Sequence, residues 1–414
     1  MSRILLTAVG SMAANPAARR YQALGHTVFG CDIYPREWTP LAGEIDFFQA
    51  RLATEGEPYV EQLKEAVRRD GLDFLIPLTD PEVDALSPRK AEFRALGCTV
   101  CVPEEPVAAL CRRKDRMNRF LAEKQVCHSQ SKNSELAVGA RKQRCAGLRE
   151  MCCGTGFRGS VPQPQSSSLA LPCQTLVSVD GCQSLAAFGS CIHRMHAPSR
   201  RPITPAGGSA SCTSPFFDAP RQVCRLIPTE SAVPGQPCPF PFPVIIKPRS
   251  GRSSMGQAVA ADEKNYQTAL AGREDCIVQP FLEGAVFCVD VARDSAGHIR
   301  AAARQELLRN KSGLGMTVEV LPGHPLEAVC AAIAEAIGLV GVVNMEFIRH
   351  GDEFFFLEVN PRFSGGLGFS VAAGMDFAEM MLLCHSGGSV EAFPAAPKHA
   401  LLARESQIIL TKQL

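Results

Sequence analysis

The chain has 414 residues, and at roughly 100 to 200 residues per domain it has the length for two or three domains, each with its own core. Lys and Arg number 43 and Asp and Glu 42, a net charge of +1, so no global field draws nucleic acid or an anionic membrane to it. A hydrophobic share of 46%, with 34 Gly and 30 Pro, is ordinary for a globular protein and excludes wholesale disorder.

From the N-terminus, short apolar runs alternate with helical patterns. Ile4 to Val9, Thr27 to Cys31, Asp73 to Leu78 and Cys98 to Val102 are expected strands, with helices over 13–24, 58–69 and 81–96 between them. That alternation predicts an α/β domain, a parallel sheet with helices on both faces. It also favours a buried first strand over a secretory leader for residues 1–14. Gly10-Ser11-Met12-Ala13-Ala14-Asn15 lacks the glycine fingerprint of a dinucleotide fold, which sets an NAD-dependent dehydrogenase aside. Thr79-Asp80-Pro81-Glu82, at the carboxyl end of the third strand, predicts a helix N-cap by Asp80 with Pro81 at the first helical position, and is also placed for substrate contact.

The composition changes over residues 128–225. Nine of the 18 cysteines lie from Cys127 to Cys224, and 128–225 carries 11 Lys and Arg against 4 Asp and Glu, a net +7. Neither strand nor helix periodicity runs through it, and little stable structure is expected there. Three accounts compete. Cys182, Cys191, His193 and His196 hint at a zinc module but lack Cys-x-x-Cys spacing; the others are a disordered regulatory insertion and sequence foreign to the domain, such as translated non-coding nucleotides. Cysteines in a chain this long read as reduced cytosolic thiols, which points to a cytoplasmic protein.

Beyond Pro239, Phe242 to Pro248 is an apolar strand carrying Lys247 near its end. A loop, Arg249 to Gly256, and a second strand, Gln257 to Ala261, follow. Two strands joined by a glycine- and serine-rich loop can lay backbone N–H groups over phosphate while Lys247 supplies charge; an exposed hairpin loop is the plainer alternative. Leu326 to Val343 is broken by Glu327 and Glu335, so it is an amphipathic helix running into a strand and not a membrane span.

Residues 342–366 carry the chemistry. Glu358 and Asn360 are two apart on one strand and share a face. Glu346 joins that face if it pairs opposite Glu358, which leaves Gly351-Asp352-Glu353 as a three-residue hairpin loop and sets Asn344 opposite Asn360. Met345, Phe347, Leu357 and Val359 then take the buried face. Two carboxylates and an amide suit Mg²⁺, a hard cation that completes its shell with water and phosphate oxygens. Arg362, two residues on, can stabilise charge on a transferring phosphoryl group or tetrahedral intermediate; neutralising the glutamates is its bland alternative.

On Glu358-Val359-Asn360-Pro361-Arg362-Phe363-Ser364-Gly365-Gly366 the sequence resembles the ATP-grasp superfamily, in particular its carbamoyl-phosphate-synthase-like branch of carboxylate–amine ligase type. The resemblance covers about residues 1–127 and 226–395. It implies a pre-ATP-grasp α/β domain over 1–112 and an α+β ATP-grasp domain interrupted by the atypical insert 128–225. The nucleotide-binding subdomain would comprise 113–127 and 226–285, the metal-binding subdomain 286–395, and the tail 396–414. It further implies ATP contacts from Arg116, Lys247, Ser253, Ser254, Gly256, Gln279, Phe281 and Glu283, and Mg²⁺ (or Mn²⁺) on Glu346, Glu358 and Asn360. Arg304 and Arg309 would face phosphate or a substrate carboxylate, and Arg362 would be catalytic. The family places a glutamate for the ribose hydroxyls where this chain has Val286, so nucleotide affinity falls or Glu283 substitutes. The implied activity is ATP-dependent ligation of a small-molecule carboxylate to an amine through an acyl phosphate, with neither nucleic acid nor membrane as partner. A nucleotide-binding protein without ligation activity, impaired by the 128–225 segment, is the alternative.

Overall fold

The apolar runs of the first hundred residues become β1 (Arg3–Leu6), β2 (Thr27–Asp32), β3 (Asp46–Gln49), β4 (Phe74–Ile76) and β5 (Thr99–Val100), all parallel in the order β3-β2-β1-β4-β5. The computed structural model describes residues 1–129, 223–250, 256–311, 313–405 and 408–413. Ile4 and Leu6 enter the core beneath α1 (Ala14–Ala23), and Leu5 enters the one beneath α2 (Glu57–Asp70) and α3 (Asp80–Leu86). A strand covered on both faces is apolar throughout, which is why these runs show no alternation. β3 is not among the strands expected: Asp46-Phe47-Phe48-Gln49 is a short edge segment, identified only by its pairing with β2.

Two expectations at the carboxyl end of β4 are corrected. The helix over 81–96 divides at Ser87-Pro88-Arg89 into α3 and α4 (Lys90–Ala95), because Pro88 has no N–H to continue the ladder. The N-cap is Thr79, not Asp80. Thr79 forms a capping box with Glu82, whose carboxylate accepts from the Thr79 backbone N–H at 3.0 Å, so Asp80 becomes the first helical residue and keeps its side chain for another partner.

Next come α5 (Glu105–Arg112), α6 (Lys114–Glu123), β6 (His128–Ser129), β7 (Cys224–Leu226), β8 (Glu230–Ala232), β9 (Val244–Pro248), β10 (Ala258–Ala260), α7 (Glu263–Leu270) and β11 (Cys276–Pro280). They are followed by β12 (Ala285–Arg293), β13 (Ile299–Arg309), β14 (Gly315–Val320), α8 (Pro325–Ala336), β15 (Gly341–His350), β16 (Glu353–Asn360), α9 (Leu367–Ala372), α10 (Phe377–Ser386) and β17 (Ala400–Ala403). Strands β10-β9-β11-β8 form a small antiparallel sheet with a core against α7. Strands β17-β14-β13-β12-β15-β16-β7-β6 form a large mixed sheet, with β16-β7-β6 parallel.

The ends of the segment assigned to the insert are sheet strands: β6 includes His128, and β7 includes Cys224 and Arg225. Cys182, Cys191, His193 and His196 lie outside the described residues. The described elements belong to one compact unit, and α10 explains why. Phe377, Ala378 and Met381 share a core with Tyr21 and Ile4 of the N-terminal domain, Tyr21 Oη donates to the Ala378 carbonyl at 2.9 Å, and Arg20 pairs with Asp376. No helix among the described residues is long and apolar enough to cross a membrane.

Candidate metal centre and active site

The register of the large sheet sorts its side chains into two faces. On one, Val289, Met345, Phe347, Phe356 and Val359 pack with Met117 and Leu121 of α6 and Val329 and Ile333 of α8. On the other, the directly paired residues form rows across β13, β12, β15 and β16. The first is Ala302, Asp290, Asn344, Asn360; the second Arg304, Cys288, Glu346, Glu358; the third Glu306, Val286, Ile348, Phe355. One face of four neighbouring strands therefore collects four carboxylates, two amides and an arginine.

Glu346 pairs opposite Glu358, and Asn344 opposite Asn360. The loop differs from expectation. A bulge between Glu346 and Phe347 shifts the pairing to Phe347–Phe356 and His350–Glu353, so the turn is the two-residue Gly351-Asp352, with Gly351 at φ 60°. The extra residue is Leu357, and Phe356 takes the buried position expected for it. The bulge falls just beyond the Glu346–Glu358 pair and leaves those carboxylates on one face.

Burial, and then the charges of Glu358 and Glu306, push the Glu346 carboxyl up to about 7. Burial is the larger cause and the neighbouring carboxylates add to it, and the donor set is oxygen: a cradle of the kind a hard divalent cation relieves. Two lysines approach it. Lys114 Nζ, on α6, lies 3.1 Å from Glu358 Oε2. Lys247, on β9, is lowered to about 8 by desolvation, against which Glu358 and Glu346 pull upward. By contrast Glu57, Glu61 and Glu92, another carboxylate cluster, are interleaved with Lys64 and Arg89 in a solvated salt-bridge network.

The remaining expected contacts fall as follows. Arg116 is exposed and makes no ion pair among the described residues; Lys114, half a turn earlier, is the α6 cation at the carboxylates. Sequence reasoning did not single out Lys114 because α6 and its cap offer Arg113, Lys114 and Arg116 in close succession, and only the docking angle of the helix distinguishes them. Ser253 and Ser254 lie outside the described residues, while Gly256 ends their loop at φ 69°. Gln279, on the same face of the small sheet as Lys247, is buried; its Nε2 donates to Thr229 Oγ1 at 2.8 Å and its Oε1 is without a partner among the described residues. Phe281 is half-buried, its N–H donating to the Pro243 carbonyl. Glu283 is exposed and its carbonyl accepts from His350. The carboxylate paired across from Val286 is that of Glu306, which also binds Arg309 at 2.7 Å.

Arg304, expected to face phosphate or substrate, is turned inward. Its exposure is 1%; Nη1 pairs with Asp290 at 2.7 Å, and Nη2 donates to Ser364 Oγ at 2.9 Å. The Ser364-Gly365-Gly366 loop lies over it so closely that a Cβ at Gly366 would stand 2.5 Å from Nη2. Burial would lower its pKa, but Asp290 more than reverses that and holds it above the ordinary arginine value. Arg362 emerges just past Asn360, and its Nε and Nη2 each donate to Asp80 at 3.0 Å. Asp80 is the partner that no local pattern could name, since 282 residues separate the two.

Comparison with known proteins agrees with the fold. A family model described as ATP-grasp in the biosynthetic pathway with Ter operon matches residues 272–408. The carbamoyl phosphate synthase large chain of Arthrobacter sp. (strain FB24) is 27% identical over 173 residues, 38% of this chain and 16% of that protein. The chain thus spans about a sixth of the length of that relative. Biotin carboxylase from Campylobacter jejuni, solved with β-γ-ATP, matches at a TM-score of 0.58 and 13% identity over 97% of this chain and 74% of that one. An L-amino acid ligase from Bacillus licheniformis matches at 0.56 and 10% identity over 92% and 73%. At such identity these two structures show the shared fold alone. Motif, family model and fold thus point the same way: residues 272–408 match an ATP-grasp model, the fold is that of ATP-binding carboxylase and ligase structures, and the chain is similar in sequence to carbamoyl phosphate synthase large chains.

Proposed function

We propose that this protein is an ATP- and Mg²⁺-dependent ligase that joins a small-molecule carboxylate to an amine. The observation that carries the proposal is the pairing of Glu346 with Glu358 on the open face of the large sheet, with Lys114 and Lys247 converging on them. Mg²⁺, or Mn²⁺ in its place, would be held by Glu346, Glu358 and Asn360, and when bound supplies neutralising charge to the phosphates.

Lys247 and Lys114 would hold the triphosphate, helped by the loop that includes Ser253 and Ser254 and closes at Gly256. Gln279 and Phe281 would border the base, and the row Val286, Ile348 and Phe355 would form an apolar floor beneath the sugar. Glu306 pairs directly across from Val286 in that row. A carboxylate oxygen of the acid attacks the γ-phosphorus, the bond to the β–γ bridging oxygen breaks, and ADP leaves. The amine nitrogen then attacks the acyl phosphate, phosphate departs, and the amine releases a proton. Arg362, whose Nε and Nη2 bind Asp80, would orient the acid or steady the charge that develops on it.

Hydroxylamine stands in for the amine in a direct test. ATP, Mg²⁺, hydroxylamine and a panel of small carboxylic acids should give acyl hydroxamate and ADP together, and Glu358→Gln should lower the rate at least a hundredfold. ATP bound without hydroxamate from any acid would contradict the ligase proposal and leave a nucleotide-binding protein.

A further inference from the structure

The two ends of the Asn360 amide differ chemically, and only its carbonyl oxygen can bind a cation. In the fold its NH₂ end is already directed elsewhere: Nδ2 lies 3.1 Å from Glu346 Oε1 and 3.4 Å from Asn344 Oδ1. Asn344 is fixed in turn. Its Nδ2 faces Asp290 Oδ1 at 3.0 Å and the Val289 carbonyl at 3.5 Å, and both are acceptors, so this amide cannot be turned round without opposing oxygen to oxygen. The other oxygen of Asp290 receives Arg304 Nη1 and Ser370 Oγ, each at 2.7 Å. Asp290, Asn344, Arg304 and Ser370 are all at most 2% exposed, so water does not compete for these bonds.

We propose that Asp290, held by Arg304 and Ser370, and Asn344 are positioning residues that set the Asn360 amide with Oδ1 turned toward the cation shared with Glu346 and Glu358. The inference rests on the metal reading given under the proposed function and adds residues to it that touch neither cation nor substrate. An unrestrained Asn360 would populate both orientations. The reversed one sets Oδ1 against the Glu346 carboxylate and presents NH₂ to a cation, so fixing the correct one removes a conformer that cannot bind metal.

The test is Mn²⁺ affinity of the full chain in the presence of ADP, followed by the loss of the free-ion electron paramagnetic resonance signal, in a double-mutant cycle. Asn344→Leu fills the same space and removes the relay; it should weaken Mn²⁺ binding about tenfold. In an Asn360→Asp background the same change should cost less than twofold, since a carboxylate offers oxygen at either end and has no orientation to set. Equal losses in the two backgrounds, or no loss in either, would overturn the proposal. Should Asn344→Leu fail to fold, as judged by near-ultraviolet circular dichroism, Asn344→Thr carries the same cycle with the same expectations. Glu358→Gln separates the two levels. If the wild type does not bind Mn²⁺, or binds it no better than the Glu358→Gln variant does, the metal reading itself fails and this inference with it. If Mn²⁺ binding depends on Glu358 but shows no coupling between 344 and 360, only the inference fails.

Discussion

Two charged clusters share one face of the large sheet, side by side, and they solve opposite problems. Around Arg304 the charges close on themselves: Asp290, Ser364 and Ser370 take its two Nη groups, only Nε is without a partner among the described residues, and the residue is sealed from water. Around Glu346 and Glu358 they do not close. Two acids and two lysines approach one another, yet Glu346 is pushed up to about 7 and Lys247 down to about 8, each partly deprived of the solvation its charge requires. A cluster whose members satisfy one another holds structure, whereas one left under-solvated beside an opening has use for a ligand.

The contrast can be broken from the sealed side first, where the largest effect is expected. Asp290→Leu leaves Arg304 buried without its counter-ion and should cost about 3 to 5 kcal/mol in urea unfolding. Joining it with Arg304→Met removes the stranded charge and should recover most of that loss. Equal destabilisation in the single and double variants would show that the pair is not what makes the single change costly.

On the open side the expected effect is smaller and depends on pH. Glu346 holds a proton below about pH 7, and a divalent cation needs the carboxylate, so proton and metal compete. Mn²⁺ affinity should therefore fall below that pH by up to about tenfold per unit. The metal should displace the proton at pH 6, seen as proton release in weakly buffered solution. Glu346→Gln should remove that component of the slope. A wild-type affinity flat between pH 5.5 and 8 would contradict the raised Glu346 carboxyl.

Much of this was legible in the sequence, for reasons that differ by region. Buried parallel strands such as Ile4 to Leu6 declare themselves as apolar runs, and Glu358 and Asn360 share a face by the two-residue period of any strand. The hairpin register followed from requiring Glu346 to join them. The bulge at Leu357 did not, because one residue's slip is set by how Phe356 packs and not by local pattern. Arg304 and Arg362 look equally available as sequence. Their fates are decided by Asp290, 14 residues from one, and by Asp80, 282 residues from the other. Likewise the helix docking that prefers Lys114 to Arg116, and the cover that α10 gives the N-terminal sheet, are tertiary facts.

The most direct test of the central claim is a crystal structure of the full chain with Mn²⁺ and ADP, using anomalous scattering to locate the metal. The account predicts a manganese peak roughly 2 Å from oxygens of Glu346, Glu358 and Asn360, with the diphosphate between it and Lys247. Nucleotide bound with no manganese at those three residues, or manganese held at the Glu57–Glu61–Glu92 cluster in its place, would contradict it.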